Sequence, residues 1–384
     1  MQDDALPTKN NPSLAIILPT LFGGGAERVA TDLANHWTNS GRQVSLITID
    51  AIHGERYPLD DRIHKVGLGL FRDSTSIAAK IWNNRLRVSH LRQAIREAGA
   101  SQVVSFTDIT NVTTLLACRR LETDVIVCER TDPRSHRLGR VWSTLRSQTY
   151  GRAAAIVVQT QGVAGWAAAQ HWPCPIYVIP NAAPAINPAE LPPVPSDRSR
   201  RSIVALGRLS HEKGFDLLIE AFARVAADHP TWDLRIVGEG NERNSLQAIA
   251  QRCGQESRVL LMGWNPRSDS ILKDSDIFVL PSRYEGFPNA LLEAMAVGLP
   301  CISFDCDSGP RDMIRSGIEG LLVPPENVAE LAAAMHQLMS DEKLRASLGA
   351  NASNVTQRFS RDRIYRLWDA VLDRLPPDQF KVLE

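Results

Sequence analysis

Two glutamates stand eight positions apart in a segment whose other residues are mostly apolar or small, SRYEGFPNALLEAMAVGLP at 282–300. The strand-like run IFVLPS comes first, and Pro288 is well placed in the first turn of a helix that runs through Ala296. Glu285 is then expected on the loop before the helix and Glu293 inside it. Carboxylates at such a place can accept charge-assisted hydrogen bonds from sugar hydroxyls. The alternative is that Glu285 caps the helix and Glu293 is solvated.

The start of this predicted helix also offers backbone donors. The amides around Phe287, Asn289 and Ala290 lack partners within the helix, so they can bind a phosphate or a sugar oxygen. Gly286 belongs to the same turn.

A second segment, GRLSHEKG at 207–214, places two cations on a loop after a predicted strand. The strand ends at Gly207, and Arg208 and Lys213 follow. Arginine offers a planar fork of donors and lysine a movable point charge, a pair that suits a diphosphate. The alternative is two surface cations. Gly238, after a later strand, allows a ligand to approach the backbone closely.

Two other patterns are weaker. The run PTLFGGGAER superficially resembles a dinucleotide fingerprint, but Arg28 stands where glycine or alanine is required, so NAD is not expected. Two Asp-x-Asp strings, Asp274/Asp276 and Asp305/Asp307, could hold a divalent metal. The first is ordinary turn chemistry. We expect no metal, because the two cations and the helix start already supply positive potential.

The elements that must position these residues form two series of βα units. Short apolar strands that alternate with helical patterns indicate parallel sheets covered by helices on both faces. The predicted strands are 14–18, 44–49, 102–106, 125–128, 155–159, 202–206, 234–237, 259–262, 277–280, 300–304 and 320–323. A proline-rich stretch without periodicity separates the series, with its centre at 185–199. The sequence therefore predicts two doubly wound, Rossmann-like domains that face a cleft, where ligands of such sheets bind.

The composition excludes several classes of protein. The 384 residues carry 43 basic and 43 acidic side chains, so no global field favours nucleic acid. Residues 1–185 nevertheless hold 20 Lys and Arg against 15 Asp and Glu, and the remainder carries the opposite excess. The six cysteines form no CxxC pair. Without a signal peptide or an apolar run long enough to span a bilayer, the protein is expected to be cytoplasmic or peripheral to a membrane.

Residues 77–97 combine an apolar repeat with cations. One interpretation is a core-facing helix with a solvated basic face. The other is a helix that lies against anionic lipid or a lipid diphosphate, with Trp82 near the headgroups. The apolar positions are Ile77, Ile81, Val88, Leu91 and Ile95, and the cations are Lys80, Arg85, Arg87, Arg92 and Arg96.

Taken together, these motifs resemble the GT4 family of retaining glycosyltransferases, which have the GT-B fold. The E-x7-E pair, GRLSHEKGFDLLIEAF at 207–222, GGGAERVATDLA at 23–34 and GPRDMIRSGIEGLLVPP at 309–325 match the family in order. The resemblance covers residues 14–372 and is strongest to bacterial enzymes that extend lipid-linked oligosaccharides or surface polysaccharides, hexosamine transferases among them.

The resemblance implies the domain roles. Residues 1–184 would form the acceptor domain, 200–358 the donor domain, and 185–199 the linker. The amphipathic helix at 359–375 would cross back to the acceptor domain.

It also implies the site. Arg208 and Lys213 would bind the donor diphosphate, Glu285 the donor sugar and Glu293 the ribose. Further donor contacts would come from residues of four loops: Gly24, Gly25, Gly207, Gly238, Gly286, Phe287, Pro288 and Asn289.

The acceptor side departs from the family pattern. Many members carry a histidine after the fourth strand, whereas VVSFTDITNV has none. Asp108 and Glu129 are the remaining candidates, and both could equally be loop caps.

The expected reaction transfers a sugar, with hexosamine as one candidate, from a UDP-sugar to a glycan on polyprenyl diphosphate. It would take place at an anionic membrane surface, without a metal or other cofactor. Two alternatives stay open: an epimerase or phosphorylase on the same fold, and an inactive nucleotide-sugar binding module.

Overall fold

The structure is a computed structural model that describes residues 12–22, 24–54, 56–71, 76–136, 138–184, 200–265, 268–376 and 380. The predicted linker, 185–199, lies outside the described residues. The chain divides into two compact units. Unit 1 comprises residues 1–159, 163–179 and 365–384, and unit 2 comprises residues 160–162 and 180–364.

Unit 1 contains a parallel sheet with the strand order β3-β2-β1-β4-β5-β6-β7. Its strands are β1 (Leu14–Leu18), β2 (Val44–Thr48), β3 (His64–Gly67), β4 (Gln102–Phe106), β5 (Asp124–Cys128), β6 (Ala155–Val158) and β7 (Ile176–Val178). The first five helices of the chain are α1 (Gly25–Asn39), α2 (Ile77–Glu97), α3 (Asp108–Cys118), α4 (Arg140–Thr149) and α5 (Gln161–Ala168). The strand order reverses between β1 and β4. Ligands of open α/β sheets bind at such a switch point, outside the carboxyl ends of the strands.

Unit 2 repeats this plan in the order β10-β9-β8-β11-β12-β13, again parallel. Its strands are β8 (Arg201–Leu206), β9 (Trp232–Val237), β10 (Val259–Gly263), β11 (Ile277–Leu280), β12 (Cys301–Phe304) and β13 (Gly320–Val323). Its helices are α6 (Phe215–Val225), α7 (Arg243–Arg252), α8 (Ser268–Lys273), α9 (Asn289–Ala296), α10 (Pro310–Met313), α11 (Val328–Ser340), α12 (Glu342–Ala352) and α13 (Val355–Arg358). Here the switch point lies between β8 and β11.

Every predicted strand is present with its ends within two residues of those expected. The residues of β1, β2 and β4 are all buried, which explains why their sequences are largely apolar. The sequence did not predict β3 and β7. Both lie at an edge of the sheet; β3 is largely exposed and polar, and β7 has three residues, so neither carries a distinctive apolar pattern.

The last helix, α14 (Arg361–Leu372), leads the chain from unit 2 into unit 1. The buried Trp368 packs edge-on against Trp37, with ring centres 6.1 Å apart. Trp37 Nε1 donates a hydrogen bond of 2.8 Å to Asp369, and Gln102 Nε2 donates one of 2.6 Å to the carbonyl of Leu372. These contacts secure the end of the chain to α1 and β4, as the fold predicted from the sequence requires.

The amphipathic stretch at 77–97 is helix α2, and its two halves differ. Leu91 and Ile95 in the second half are buried in the core of unit 1, which agrees with the core-facing interpretation. In the first half Ile81 is 53% exposed and Trp82 62% exposed. The side chain of Ile77 lies outside the described residues.

The predicted basic face of α2 needs a correction. Arg92 donates hydrogen bonds of 2.8 and 3.0 Å to the carbonyls of Ala117 and Leu116 at the end of α3, so it is a structural residue. Arg87 likewise donates to the carbonyl of Leu70 at 3.0 Å. Lys80, Arg85 and Arg96 are exposed. No helix in the described part of the chain combines the length and the apolar character needed to cross a bilayer.

Candidate active site

The switch point of unit 2 brings the predicted donor residues together. Strand β8 pairs directly with β11, so the loops that follow these strands lie side by side. Lys213 lies on the first loop, in a 3-10 turn at His211–Lys213, and Glu285 lies on the second. The two motifs that stood out in the sequence therefore share one edge of one sheet.

Their side chains form an ion pair. Lys213 Nζ lies 2.7 Å from Oε1 of Glu285. The hydroxyl of Ser282 donates to the same oxygen at 2.6 Å. The Glu285 side chain is 8% exposed and that of Lys213 24%, so the pair is buried on the carboxylate side and reaches solvent on the lysine side. Ser282 could not be predicted from the sequence, because a serine after a strand has no distinctive pattern.

Arg283 explains why the two loops meet, and it too was missed. Its guanidinium donates to the carbonyl of His211 at 2.6 Å and to both carboxylate oxygens of Asp216 at 2.9 and 2.6 Å. Its amide donates to the carbonyl of Glu212 at 2.9 Å. The hydrogen bonds to Asp216 raise the pKa of Arg283 above its ordinary value. Arg283 thus fastens the loop that carries Glu285 to the turn that carries Lys213.

Two glycines allow this close approach. Gly214 has a φ of +65°, and a Cβ at this position would lie 2.0 Å from the carbonyl oxygen of Pro281. Gly238 has a φ of +149°, and its Cβ would lie 1.8 Å from the carbonyl oxygen of Gly207. Any side chain at either position would push apart the loops at the carboxyl edge of the sheet.

Arg208 stands apart from this pair. Its side chain is exposed and makes no hydrogen bond or ion pair to any described residue. An exposed guanidinium two positions after β8 is available to an anion at the switch point.

Helix α9 begins one residue later than predicted, since Pro288 is its N-cap. The amides of Phe287, Asn289 and Ala290 donate to no described residue, so they can bind an anion. Gly286 offers its carbonyl to the hydroxyl of Ser308 at 3.1 Å. Glu293 is partly buried within the helix.

The side chains at this helix start have structural roles. Phe287 is buried and packs edge-on against Phe359, with ring centres 5.6 Å apart. The Asn289 side chain accepts a hydrogen bond of 2.5 Å from Asn181. Any contact of Phe287 with a ligand would therefore come from its backbone.

The two Asp-x-Asp strings are engaged with protein groups. Arg311 lies 3.0 Å from Asp305 and 3.9 Å from Asp307. Asp274 pairs with Arg235 at 2.9 Å. The Asp276 carboxylate accepts from the amide of Ser202 at 2.8 Å. In the part of the chain that the structure describes, His, Cys, Asp and Glu form no group of three that could hold a metal ion.

In unit 1, the loop after β1 lies at the β1/β4 switch point and carries the two predicted glycines. Gly24 is the N-cap of α1 and Gly25 its first residue. A Cβ on Gly24 would lie 2.4 Å from Oε2 of Glu27, whose other oxygen accepts from Thr20 at 3.2 Å. The Glu27 carboxylate therefore lies directly beside Gly24 and Thr20.

Asp108 follows β4 and opens helix α3. Its carboxylate accepts a hydrogen bond of 2.7 Å from the amide of Ile109. This local backbone contact is the kind expected of a loop cap. The second oxygen lies 3.5 Å from Nε2 of His136. His136 reaches this place because its amide donates to the carbonyl of Asp132 at 2.9 Å in a turn after β5. No local sequence pattern linked the histidine to Asp108.

Glu129 follows β5 and is buried, so it is not an exposed loop cap. Tyr150 donates a hydrogen bond of 2.7 Å to Oε1, and Arg146 lies 3.7 Å from the same oxygen. Asn111 in turn donates to the Tyr150 hydroxyl at 3.1 Å. Burial raises the pKa of Glu129 to about 7, so this carboxyl exchanges its proton near neutral pH.

Both halves of the chain match models of known protein families. Residues 24–182 match the glycosyl transferase 4-like domain, and residues 189–355 match the glycosyl transferases group 1. Together the two matches cover most of the chain.

Two curated relatives illustrate the range of similarity. An exopolysaccharide phosphotransferase of Streptomyces coelicolor is 38% identical over 199 residues, which are 51% of this chain but 20% of that protein. A Campylobacter jejuni protein is 26% identical over 357 residues, 92% of this chain and 96% of its own length. Its name is GalNAc-alpha-(1->4)-GalNAc-alpha-(1->3)-diNAcBac-PP-undecaprenol alpha-1,4-N-acetyl-D-galactosaminyltransferase.

Among solved structures, Anabaena HepE in complex with UDP and glucose superposes with a TM-score of 0.81. The sequence identity is 18%, and the match covers 95% of this chain and all of that one, which supports the GT-B fold. The chain belongs to the GT4-type glycosyltransferases with the GT-B fold, and it is a transferase enzyme.

Proposed function

We propose that this glycosyltransferase moves a sugar, with retention of configuration, from a UDP-sugar to a glycan carried on polyprenyl diphosphate. The observation that carries the proposal is the Lys213–Glu285 pair at the carboxyl ends of β8 and β11. It places a cation suited to phosphate beside a carboxylate suited to sugar hydroxyls, at the switch point of one sheet.

The donor would be held by groups with distinct chemistry. Arg208 and Lys213 bind the diphosphate, together with the amides at the start of α9. Glu285 accepts hydrogen bonds from the sugar hydroxyls, and Glu293 from the ribose. UDP is the favoured nucleotide because the Anabaena structure was solved with UDP. The Campylobacter relative's name makes N-acetylhexosamine the first sugar to test.

The reaction needs no protein nucleophile. The bond between the sugar's anomeric carbon and the diphosphate oxygen breaks, and the acceptor oxygen bonds to that carbon from the same face. The acceptor's proton passes to the departing phosphate oxygen. The protein lowers the barrier by stabilising the growing charge on the diphosphate and by orienting both substrates. Arg208 and Lys213 supply the first effect, and no metal is required.

A lipid-linked acceptor is supported by three observations. The Campylobacter relative is named for an undecaprenol diphosphate-linked glycan. Residues 1–185 carry the basic excess of the chain. The first half of α2 exposes Ile81 and Trp82 beside the cations Lys80 and Arg85, a combination typical of interfacial helices. We place the protein at the inner face of the cytoplasmic membrane, attached peripherally, with Asp108 and Glu129 on the acceptor side.

The test begins with ligand binding. UDP- and GDP-sugars are compared by thermal shift, because a ligand at a hundred times its Kd stabilises the folded state by about 2.7 kcal/mol. The best donor is then incubated with a polyprenyl diphosphate glycan, and the product's anomeric configuration is determined by NMR.

Four outcomes would contradict the proposal. An inverted product would exclude retention. Isomerised donor in the absence of acceptor would indicate an epimerase, and release of a sugar phosphate with free phosphate would indicate a phosphorylase. Binding of the donor with none of these reactions would leave a binding module.

A further inference from the structure

Ser282 occupies an unusual place beside the donor site. It follows β11 by two residues and is completely buried, with an exposed fraction of 0%. Its backbone is held as well, because the thiol of Cys306 donates to its carbonyl at 3.0 Å. Its hydroxyl donates to Glu285 Oε1 at 2.6 Å. A buried hydroxyl with this single acceptor has a fixed direction.

Glu285 receives both of its side-chain donors on one oxygen. Ser282 and Lys213 share Oε1, whereas Oε2 accepts from no described residue. The two donors therefore fix the plane of the carboxylate and leave Oε2 for a ligand hydroxyl. A buried carboxylate without donors would be strongly destabilised, so this orientation depends on keeping at least one of them.

A bound UDP-sugar would affect the two hydrogen-bond donors of Glu285 differently. Lys213 is 24% exposed on a flexible stem, and a diphosphate competes for its single charge. Ser282 is uncharged and completely buried, so a diphosphate leaves it in place. If Lys213 turns toward the diphosphate, Ser282 is the group that keeps Glu285 oriented.

We propose that Ser282 is a positioning residue that maintains the orientation of the Glu285 carboxylate while Lys213 engages the donor diphosphate. The inference rests on the proposed function, since it concerns the same donor site. It assigns to Ser282 an effect on the sugar portion of the donor and none on the nucleotide alone.

The chain offers a matched control. Ser303 in β12 is also completely buried, and its hydroxyl donates to the carbonyl of Phe304 at 2.8 Å. Ser303→Ala removes the same atom from the same sheet without touching Glu285. It therefore measures what the loss of a buried serine hydroxyl in unit 2 does by itself.

The experiment compares wild type, Ser282→Ala and Ser303→Ala in kcat, KM for the UDP-sugar, Kd for UDP alone and thermal midpoint. A hydrogen bond to a charged group is worth a factor of about ten to a hundred. Ser282→Ala should lower kcat for sugar transfer by that factor, with the Kd for UDP within about twofold of wild type. Ser303→Ala should leave kcat unchanged.

A double-mutant cycle with Glu285→Gln tests whether Ser282 acts through Glu285. In the Glu285→Gln background, Ser282→Ala should cause little further loss of kcat, because coupled residues are not additive. Additive losses would overturn the inference, as would an equal weakening of UDP binding or a wild-type kcat in Ser282→Ala. A wild-type protein that transfers no sugar would instead overturn the proposed function, and with it the inference.

Discussion

Lys213 Nζ lies 2.7 Å from Glu285 Oε1, so the cation assigned to the donor diphosphate is paired with the carboxylate assigned to the donor sugar. The two residues are separated by 72 positions, and Arg283 holds their loops together. A bound diphosphate must therefore compete with Glu285 for the ammonium group of Lys213. This exchange makes the roles of the two cations, Arg208 and Lys213, experimentally distinguishable.

Arg208→Ala should lower kcat about a hundredfold or more, because the charge on the diphosphate grows as the glycosidic bond breaks. The side chain is exposed and unpaired among the described residues, so the thermal midpoint should not change. The control is Arg252→Ala, which removes an exposed cation from α7. Steady-state kinetics that show a raised KM with a normal kcat would contradict a role in the transition state.

Lys213→Ala should reduce both activity and stability, because it also leaves the buried Glu285 without its cation. Adding Glu285→Gln removes the unpaired charge and should restore the thermal midpoint while activity stays low. Calorimetry of the wild type, both single variants and the double variant measures this. If the double variant is as unstable as Lys213→Ala, the ion pair does not explain the loss.

Activity should survive EDTA in full, because the proposed function assigns the positive charge at the donor site to Arg208 and Lys213. Asp305 already pairs with Arg311 at 3.0 Å, so Asp305→Asn should keep near-normal kcat. Assays of EDTA-treated enzyme with and without added Mg²⁺ or Mn²⁺ check this. Strict dependence on either ion would point back to Asp305 and Asp307 as metal ligands.

Glu129→Gln should change how stability depends on pH. The pKa of Glu129 rises on folding from 4.5 to about 7, so its contribution is fully present below 4.5 and is lost as the pH rises through about 7. The difference between the two pKa values corresponds to roughly 3 kcal/mol in the free energy of unfolding. Gln keeps an acceptor for Tyr150 and carries no charge, so the variant should gain stability relative to wild type above neutral pH.

Urea unfolding at about pH 5 and about pH 9 measures this difference in the free energy of unfolding. Tyr150→Phe serves as the comparison, since it removes the hydroxyl and leaves the carboxyl able to ionise. If Glu129→Gln changed the free energy of unfolding by the same amount at both pH values, Glu129 would not titrate between them.

Lys80→Gln combined with Arg85→Gln should release the protein from anionic vesicles. Each cation near an anionic surface contributes about 1 kcal/mol, so losing two should weaken binding roughly thirtyfold. Arg119→Gln combined with Arg120→Gln removes the same charge from exposed positions of unit 1 and is the control. Sedimentation at low and high salt reports binding. Equal loss in both double variants would indicate an unspecific effect of net charge.

Much of this architecture was predictable, because buried parallel strands such as β1 and β4 are short and largely apolar. The sequence also placed Glu285 correctly on the loop before α9 and Glu293 within that helix. Ser282 and Arg283 could not be identified in this way, since their roles arise from contacts with residues far along the chain. Arg92 looked like a surface cation because no sequence pattern shows that the carbonyls at the end of α3 face it.

Unit 1 is assembled from both ends of the chain, residues 1–179 and 365–384, with most of unit 2 in between. During synthesis at about 5–20 residues per second, Trp368 is therefore made on the order of ten to seventy seconds after α1 and β4. Until then Trp37 lacks the indole that packs against it and the carboxylate that accepts its hydrogen bond. Unit 2 is one continuous stretch apart from residues 160–162. It can therefore fold first, although most of it is translated after the first part of unit 1. A fragment cut at residue 179 would preserve this unfinished state, so a soluble fragment of unit 1 should include residues 365–384, joined by a short linker or supplied as a separate peptide.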